Sequence, residues 1–305
     1  MIWIDTDMGF DDMLAVMMVE QSLVDIAGVS LVYGNTRLEQ VVRNAFDASS
    51  FLGWTMPLFA GASRSILGSV ETAERILGPT GMPTLGKRLP KNATTDIPSA
   101  LSGLTKWLEG LDDAEPVLAL GPLTNIAILL LARPDLAPQI SHVLWMGGGS
   151  GPGNHTASAE FNAFSDPEAV AIVLASGVEL RMVDLECCRQ VLVGPDFAAR
   201  LDAGGDEKTS VLKDLLGGYI DIAIQRGRPA MALYDPVAAA IAIEDSVATL
   251  EAVWIDVELA GGLTRGRTVV DRRTSAGANA RIAVRPDADR IRSMTLDALE
   301  KATRQ

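Results

Sequence analysis

The sequence predicts an α/β protein, built on an open, mainly parallel mixed sheet with helices on both faces. Three observations carry that prediction. Short apolar runs alternate with segments of helical period along most of the 305 residues, the pattern of strands joined by crossover helices. The first such run, Ile2 to Ile4, leads straight into an acidic, glycine-containing turn, and open α/β sheets place their ligands at the carboxyl ends of strands. No Pro/Ser-rich linker, low-complexity tract or fixed-period repeat divides the chain, so residues 1–305 are expected to form one unit. A hydrophobic content of 48% is ample for its core.

In order, a helix is expected after the first turn near Asp11 to Gln21, with Met13, Leu14, Met17 and Met18 on one side. Ile26 to Val32 reads as the second strand, ending in Tyr33-Gly34-Asn35, and Leu38 to Leu52 returns as a helix. Pro57 to Phe59 is a short third strand. From about 63 to 96, Gly, Pro and Thr are frequent and periodicity fades. Such an excursion is expected to cross the carboxyl edge of the sheet, a common position for a lid. Order resumes with a helix at Ser99 to Leu111, a strand at Val117 to Leu120, a helix at Thr124 to Leu131 and a buried strand at His142 to Met146. Asp166-Pro167 supplies a capping residue and a first-turn proline for a helix to about Ala175. Leu180 to Val183 is a strand, and two or three helices fill Pro195 to Ala242, broken by a basic loop at Gln225 to Pro229. The part at about 195–235 is expected to face a substrate. Val253 to Glu258, Arg267 to Val270 and Ala280 to Val284 read as late strands, and Ala288 to Ala302 as a closing helix.

A net charge of −13 and a pI near 4.6 argue against nucleic acid as a partner, because phosphate backbones are bound by a surplus of Lys and Arg. A neutral small molecule fits better. The only cysteines, Cys187 and Cys188, are neighbours and give no disulfide framework, which favours a reducing cytoplasm. The amino terminus lacks the basic and apolar regions of a signal peptide. Apolar runs such as Ile126 to Ala132 fall short of the ~20 residues that span a bilayer.

The organising stretch is MIWIDTDMGFDDMLAVMMV, which places Asp5, Asp7, Asp11 and Asp12 within eight residues around Gly9. Like charges so crowded raise one another's pKa, whereas Ca²⁺ or Mg²⁺ held by oxygen ligands makes the same cluster stabilising. Softer metals are disfavoured because no Cys or His lies nearby. A turn or a helix cap would need only one of the four carboxylates.

DTDMGFDD closely resembles the amino-terminal signature of the calcium-dependent nucleoside hydrolases, the inosine-uridine preferring family. Tyr33-Gly34-Asn35, Leu120 to Asn125 and Met146 to Pro167 follow in the family's order, with an altered segment at Tyr234-Asp235-Pro236. The resemblance implies the Rossmann-like nucleoside hydrolase fold. It also implies hydrolysis of the N-glycosidic bond of a ribonucleoside, with Ca²⁺ held by Asp7, Asp12, Asp235 and the backbone carbonyl of Leu120. Asp7 would act as general base toward the ion-activated water that attacks C1′. Asp11, Asn35, Asn154, Glu160, Asn162 and Asp235 would bind ribose hydroxyls, and Met146 would line the sugar pocket. Glu160 and Asn162, two apart, would share a face of an extended segment. A homodimer or homotetramer is expected from the family alone.

The resemblance fails at the leaving group. The histidine that many members carry before the last metal-binding Asp is Tyr234 here, and a second one in the lid stretch is Leu77. A phenol can donate a hydrogen bond but is a weaker acid than imidazolium, so Tyr234 is the catalytic candidate in that position. His155 beside Asn154, and Arg226 and Arg228 in the basic loop, are the other groups that could meet the base. Two alternatives follow: a ribose or riboside binder without efficient catalysis, or a phosphohydrolase built on the Asp cluster, which lacks a basic phosphate clamp near the motif.

Overall fold

The structure is a computed structural model that describes residues 1–201, 206–273 and 277–304. Its strands are β1 (Ile2–Thr6), β2 (Ile26–Leu31), β3 (Leu58–Ala60), β4 (Glu115–Ala119), β5 (Ile140–Met146), β6 (Leu180–Val183), β7 (Leu192–Val193), β8 (Met231–Ala232), β9 (Thr249–Val257), β10 (Thr268–Asp271) and β11 (Ala280–Val284). Between them run α1 (Phe10–Glu20), α2 (Leu38–Leu52), α3 (Glu74–Leu77), α4 (Ala100–Glu109), α5 (Thr124–Ala132), α6 (Phe161–Ser165) and α7 (Pro167–Ala175). The later helices are α8 (Leu185–Cys188), α9 (Pro195–Ala199), α10 (Glu207–Ile224), α11 (Asp235–Ile243) and α12 (Ala288–Arg304).

Nine strands form one sheet in the order β10-β9-β11-β6-β5-β4-β1-β2-β3. Every pairing from β3 across to β11 is parallel, and β9 runs antiparallel to both β11 and β10. The sheet is therefore mixed and mainly parallel, as the alternating pattern predicts. β1 is buried at all five positions, the signature of a parallel strand covered on both faces. Ile2 and Ile4 pack into one core with α1, α11 and α12, while Trp3 points the other way into a second core with α4, α5 and α7.

Most elements lie within a few residues of their expected bounds. The exceptions, α3, α6, α8 and the β7-β8 ribbon, are too short to show a period in sequence. In the excursion at 63–96 the only helix is α3. Its later part is tied to α10: the Lys87 amide and the Thr84 hydroxyl both donate to Asp214, at 2.9 and 2.6 Å. Within the region at 195–235, residues 202–205 lie outside the described residues. Among the described residues no helix is long and apolar enough to cross a membrane.

Candidate active site

A cavity of about 590 Å³ opens at the carboxyl ends of the strands. The sheet order explains its place. β1 lies between β2 and β4, so the chain leaves it toward one side and returns much later on the other, and the two carboxyl ends diverge to leave a crevice. Asp7 follows β1, Leu120 follows β4, Asn35 follows β2, and all three line the cavity.

The first turn is shaped by backbone strain. Met8 has φ +29°, a cost that persists only where surroundings fix it. Here its amide donates to the Thr6 hydroxyl, its carbonyl accepts from Asn44, and its side chain is buried. The bend lets Asp7, before it, and Asp11 and Asp12, after it, turn to one place. Asp12 also caps α1 by accepting from the Gly9 amide at 2.8 Å. Asp5 departs from the group. Its Oδ1 accepts from Ser30 and from Asn125 (2.7 Å) within the sheet, and it does not line the cavity.

Asp235 reaches the site through packing. It is the first residue of α11, which lies alongside α1, so the positive amino ends of two neighbouring helices meet where the carboxylates gather. One oxygen each of Asp11, Asp12 and Asp235 lies within 4.8 Å of the others. Asp7 stands beside this trio, oriented by Asn35, whose backbone amide donates to its Oδ2 at 2.6 Å and whose side-chain amide donates to Oδ1 at 3.1 Å and to Asp12 at 2.9 Å. Gly34 makes this approach possible, because a Cβ there would fall 2.0 Å from Asp7 Oδ2. The converging trio thus contains Asp11 where the family pattern has Asp7.

Burial, then repulsion by neighbouring carboxylates, holds Asp7 and Asp235 well above the usual range and pushes Asp11 up to about 7. Asp12 is raised by burial against hydrogen bonds that favour its charge. Without a cation this cluster holds protons that a divalent ion would displace.

The wall opposite is built on α6. Glu160 is its N-cap rather than part of an extended segment. Its carboxylate accepts from the amides of Asn162 (2.9 Å), Ala163 (3.0 Å) and Gly148 (2.8 Å), and burial pushes it up to about 7 despite them. The expected two-residue face therefore does not exist: Asn162 sits in the first helical turn, and its side-chain amide donates to the carbonyls of Leu120 and Met146, both at 2.9 Å. The Leu120 carbonyl accepts from this amide, and Leu120 lines the cavity. Asn154 accepts from the Phe161 amide at 3.0 Å. Asn154, Glu160, Asn162, Met146 and Tyr234 all line the cavity, as does Leu77 from α3.

Several residues that line the cavity were not read as site residues in sequence. Tyr219 on α10 puts its hydroxyl 2.7 Å from the Ala232 carbonyl and 3.3 Å from Asp11; in sequence it is an ordinary core aromatic. Glu71, in the excursion, lies 3.3 Å from His155 Nε2. Arg75, Arg189 and Phe161 are others, and none of these residues carries a local signal of function.

A family model described as inosine-uridine preferring nucleoside hydrolase matches residues 2–293. The chain is 30% identical over 294 residues to the pyrimidine-specific ribonucleoside hydrolase RihB of Escherichia coli O17:K52:H18 (strain UMN026 / ExPEC), covering 94% of this chain and 93% of that one. Its structure is similar to the purine-preferring ribonucleoside hydrolase from Gardnerella vaginalis (TM-score 0.90, 26% identity, 99% and 98% of the two chains). It is also similar to an inosine-guanosine nucleoside hydrolase (TM-score 0.87, 26% identity, 98% of each chain). With a match running from the first strand into the last helix, and likeness to solved hydrolases over nearly all of its length, the chain belongs to the inosine-uridine preferring nucleoside hydrolase family and is an N-ribosyl hydrolase.

Proposed function

We propose that this chain, acting as one unit over residues 1–305, hydrolyses a ribonucleoside to ribose and free base with Ca²⁺ as its ion. The observation that carries the reading is the meeting of Asp7, Asp11 and Asp235, from opposite ends of the sequence, in the lining of one cavity that also takes in Glu160, Asn154 and Asn162, with Asp12 packed against the carboxylates though not itself in the lining. The donor set suits a hard cation: it is all oxygen, tolerates irregular geometry and can include the Leu120 carbonyl. Asp7, Asp12, Asp235 and Leu120 would hold the ion, with Asp11 close enough to share it. When bound, such an ion lets the carboxylates ionise together and acidifies water beside it.

The protein's own groups supply the rest. Asp7, oriented by Asn35, takes the proton of the attacking water. Asp11, Asn35, Asn154, Glu160, Asn162 and Asp235 meet the ribose hydroxyls, whose mixed donors and acceptors suit amides and carboxylates, with Met146 against the sugar. Positive charge developing on the ribose faces carboxylates already in place. Tyr234 donates a hydrogen bond to the departing base; burial pushes its phenol up to about 12, so it is a weak acid. That weakness favours one alternative, a riboside binder with little turnover.

Assaying a panel of purine and pyrimidine ribosides with Ca²⁺ and with chelator tests the reading. Turnover that needs the ion is expected; calorimetric riboside binding with no cleavage would favour the binder, and neither would overturn both. The relatives are named for pyrimidines and for purines alike, so their names select no base. The reading includes a homodimer or homotetramer, and a cytoplasmic location that suits two free, buried cysteines.

A further inference from the structure

The rim of the cavity carries the opposite charge to its floor. Arg226 and Arg228 line it from the turn that ends α10. That turn is fixed: the amides of Arg226 and Arg228 both donate to the Ala223 carbonyl, the Gly227 amide donates to Ile224, and Gly227 takes φ +71°. Among the described residues, neither guanidinium has a carboxylate within 4.0 Å. Arg189, by contrast, is occupied, bonded to Glu186 and to the Pro152 carbonyl. Tyr234 stands between rim and floor, and the positive charges of Arg189 and Arg228 both act on its phenol.

With the ribose on the acidic floor, the base extends toward Tyr234 and this pair of cations. No imidazole stands at either family position to protonate the base as it leaves. We infer that Arg226 and Arg228 form the base-binding subsite, and that the preferred substrates are ribosides of an acidic heterocycle bearing a carboxylate or extra ring oxo groups. The inference rests on the ribonucleoside hydrolase reading. As the C1′–N bond breaks, its electron pair stays on the base nitrogen, and the guanidiniums meet the resulting anion. The water oxygen bonds to C1′ and gives its proton to Asp7. Asp7 returns that proton to solvent and the released base takes one up, so the sum is riboside plus water to ribose plus base. Charge-assisted hydrogen bonds to a planar anion suit arginine.

Two matched pairs of probes test this: uridine against orotidine, which adds a ring carboxylate, and inosine against xanthosine, which adds an oxo group. In wild type with Ca²⁺, kcat/KM should favour the acidic member of each pair by about tenfold or more, less so at high salt. In R226Q/R228Q that ratio should fall to near unity, while R226K/R228K should keep much of it. Near-equal ratios in wild type, or a ratio unchanged in the Gln pair, would overturn the inference and leave the turn as a solvated basic end of α10. If no riboside is cleaved, the hydrolase reading fails separately, and calorimetry then decides the subsite. Tighter binding of orotidine than uridine that is lost in the Gln pair supports it, and equal binding overturns it.

Discussion

At the amino ends of the sheet strands, charges alternate in sign and pair. Arg181 bonds Glu179, Arg133 bridges Glu109 and Asp135, and the amino terminus lies 3.3 Å from Glu115. At the carboxyl ends, Asp7, Asp11, Asp12 and Asp235 gather, and among the described residues Arg226 and Arg228 stand on the cavity rim without a carboxylate within 4.0 Å. The helices explain part of the contrast, since α1 and α11 both begin at the carboxyl edge and present their positive ends there. The rest is a deliberate cost. Like charge held in a buried crevice raises pKa values and binds protons until something of opposite charge replaces them. Paired charge stabilises locally, whereas unpaired buried charge marks a place that waits for a ligand.

The strongest way to break this contrast is Asp7→Asn, which keeps shape and removes the base. Its turnover should fall by about 10²–10⁴-fold, with melting temperature little changed; an unaltered rate would exclude Asp7 as base. Tyr234→Phe probes the boundary between floor and rim. A loss of about fivefold is expected, the worth of one ordinary hydrogen bond, whereas a loss comparable with that of Asp7→Asn would make the phenol the general acid. The smallest effect should come from the amino end. Burial, and then Arg181, push the β5 residue His142 down to about 4. Below about pH 6.5 the unfolded chain takes a proton that the folded state refuses, so stability falls as pH drops toward 4. His142→Gln should make that acid slope shallower, by about 2 °C in Tm at pH 5, and leave kcat/KM at neutral pH as in wild type. An unchanged slope would show that the ring is protonated in the fold.

How much of this was legible in sequence varies by element. Long crossover helices declared themselves through period, and Leu38–Leu52 was readable to its ends. α6 was not: five residues give no period, and the capping of its first turn by Glu160 looks in sequence like two polar residues on a strand. Asp5 reads as one of four equivalent acids, yet its position in β1, paired with Ser30 of β2, turns it into the sheet. Asp235 could be tied to the first turn through the family pattern, but nothing in its own neighbourhood says so.

The sequence by itself determined the alternation of strands and helices, the acidic turn at a strand's carboxyl end and the membership of a family, because each of these is written in local spacing or in short motifs. Only the tertiary structure decided that Asp11, Asp12 and Asp235 converge, that Glu71 meets His155 in the cavity lining, and that Arg226 and Arg228 line it with no carboxylate partner among the described residues. The physical reason is that local spacing fixes the direction of a side chain only within its own element. Which elements lie side by side depends on how α1 and α11, with 214 residues between them in the chain, bury their apolar faces against each other.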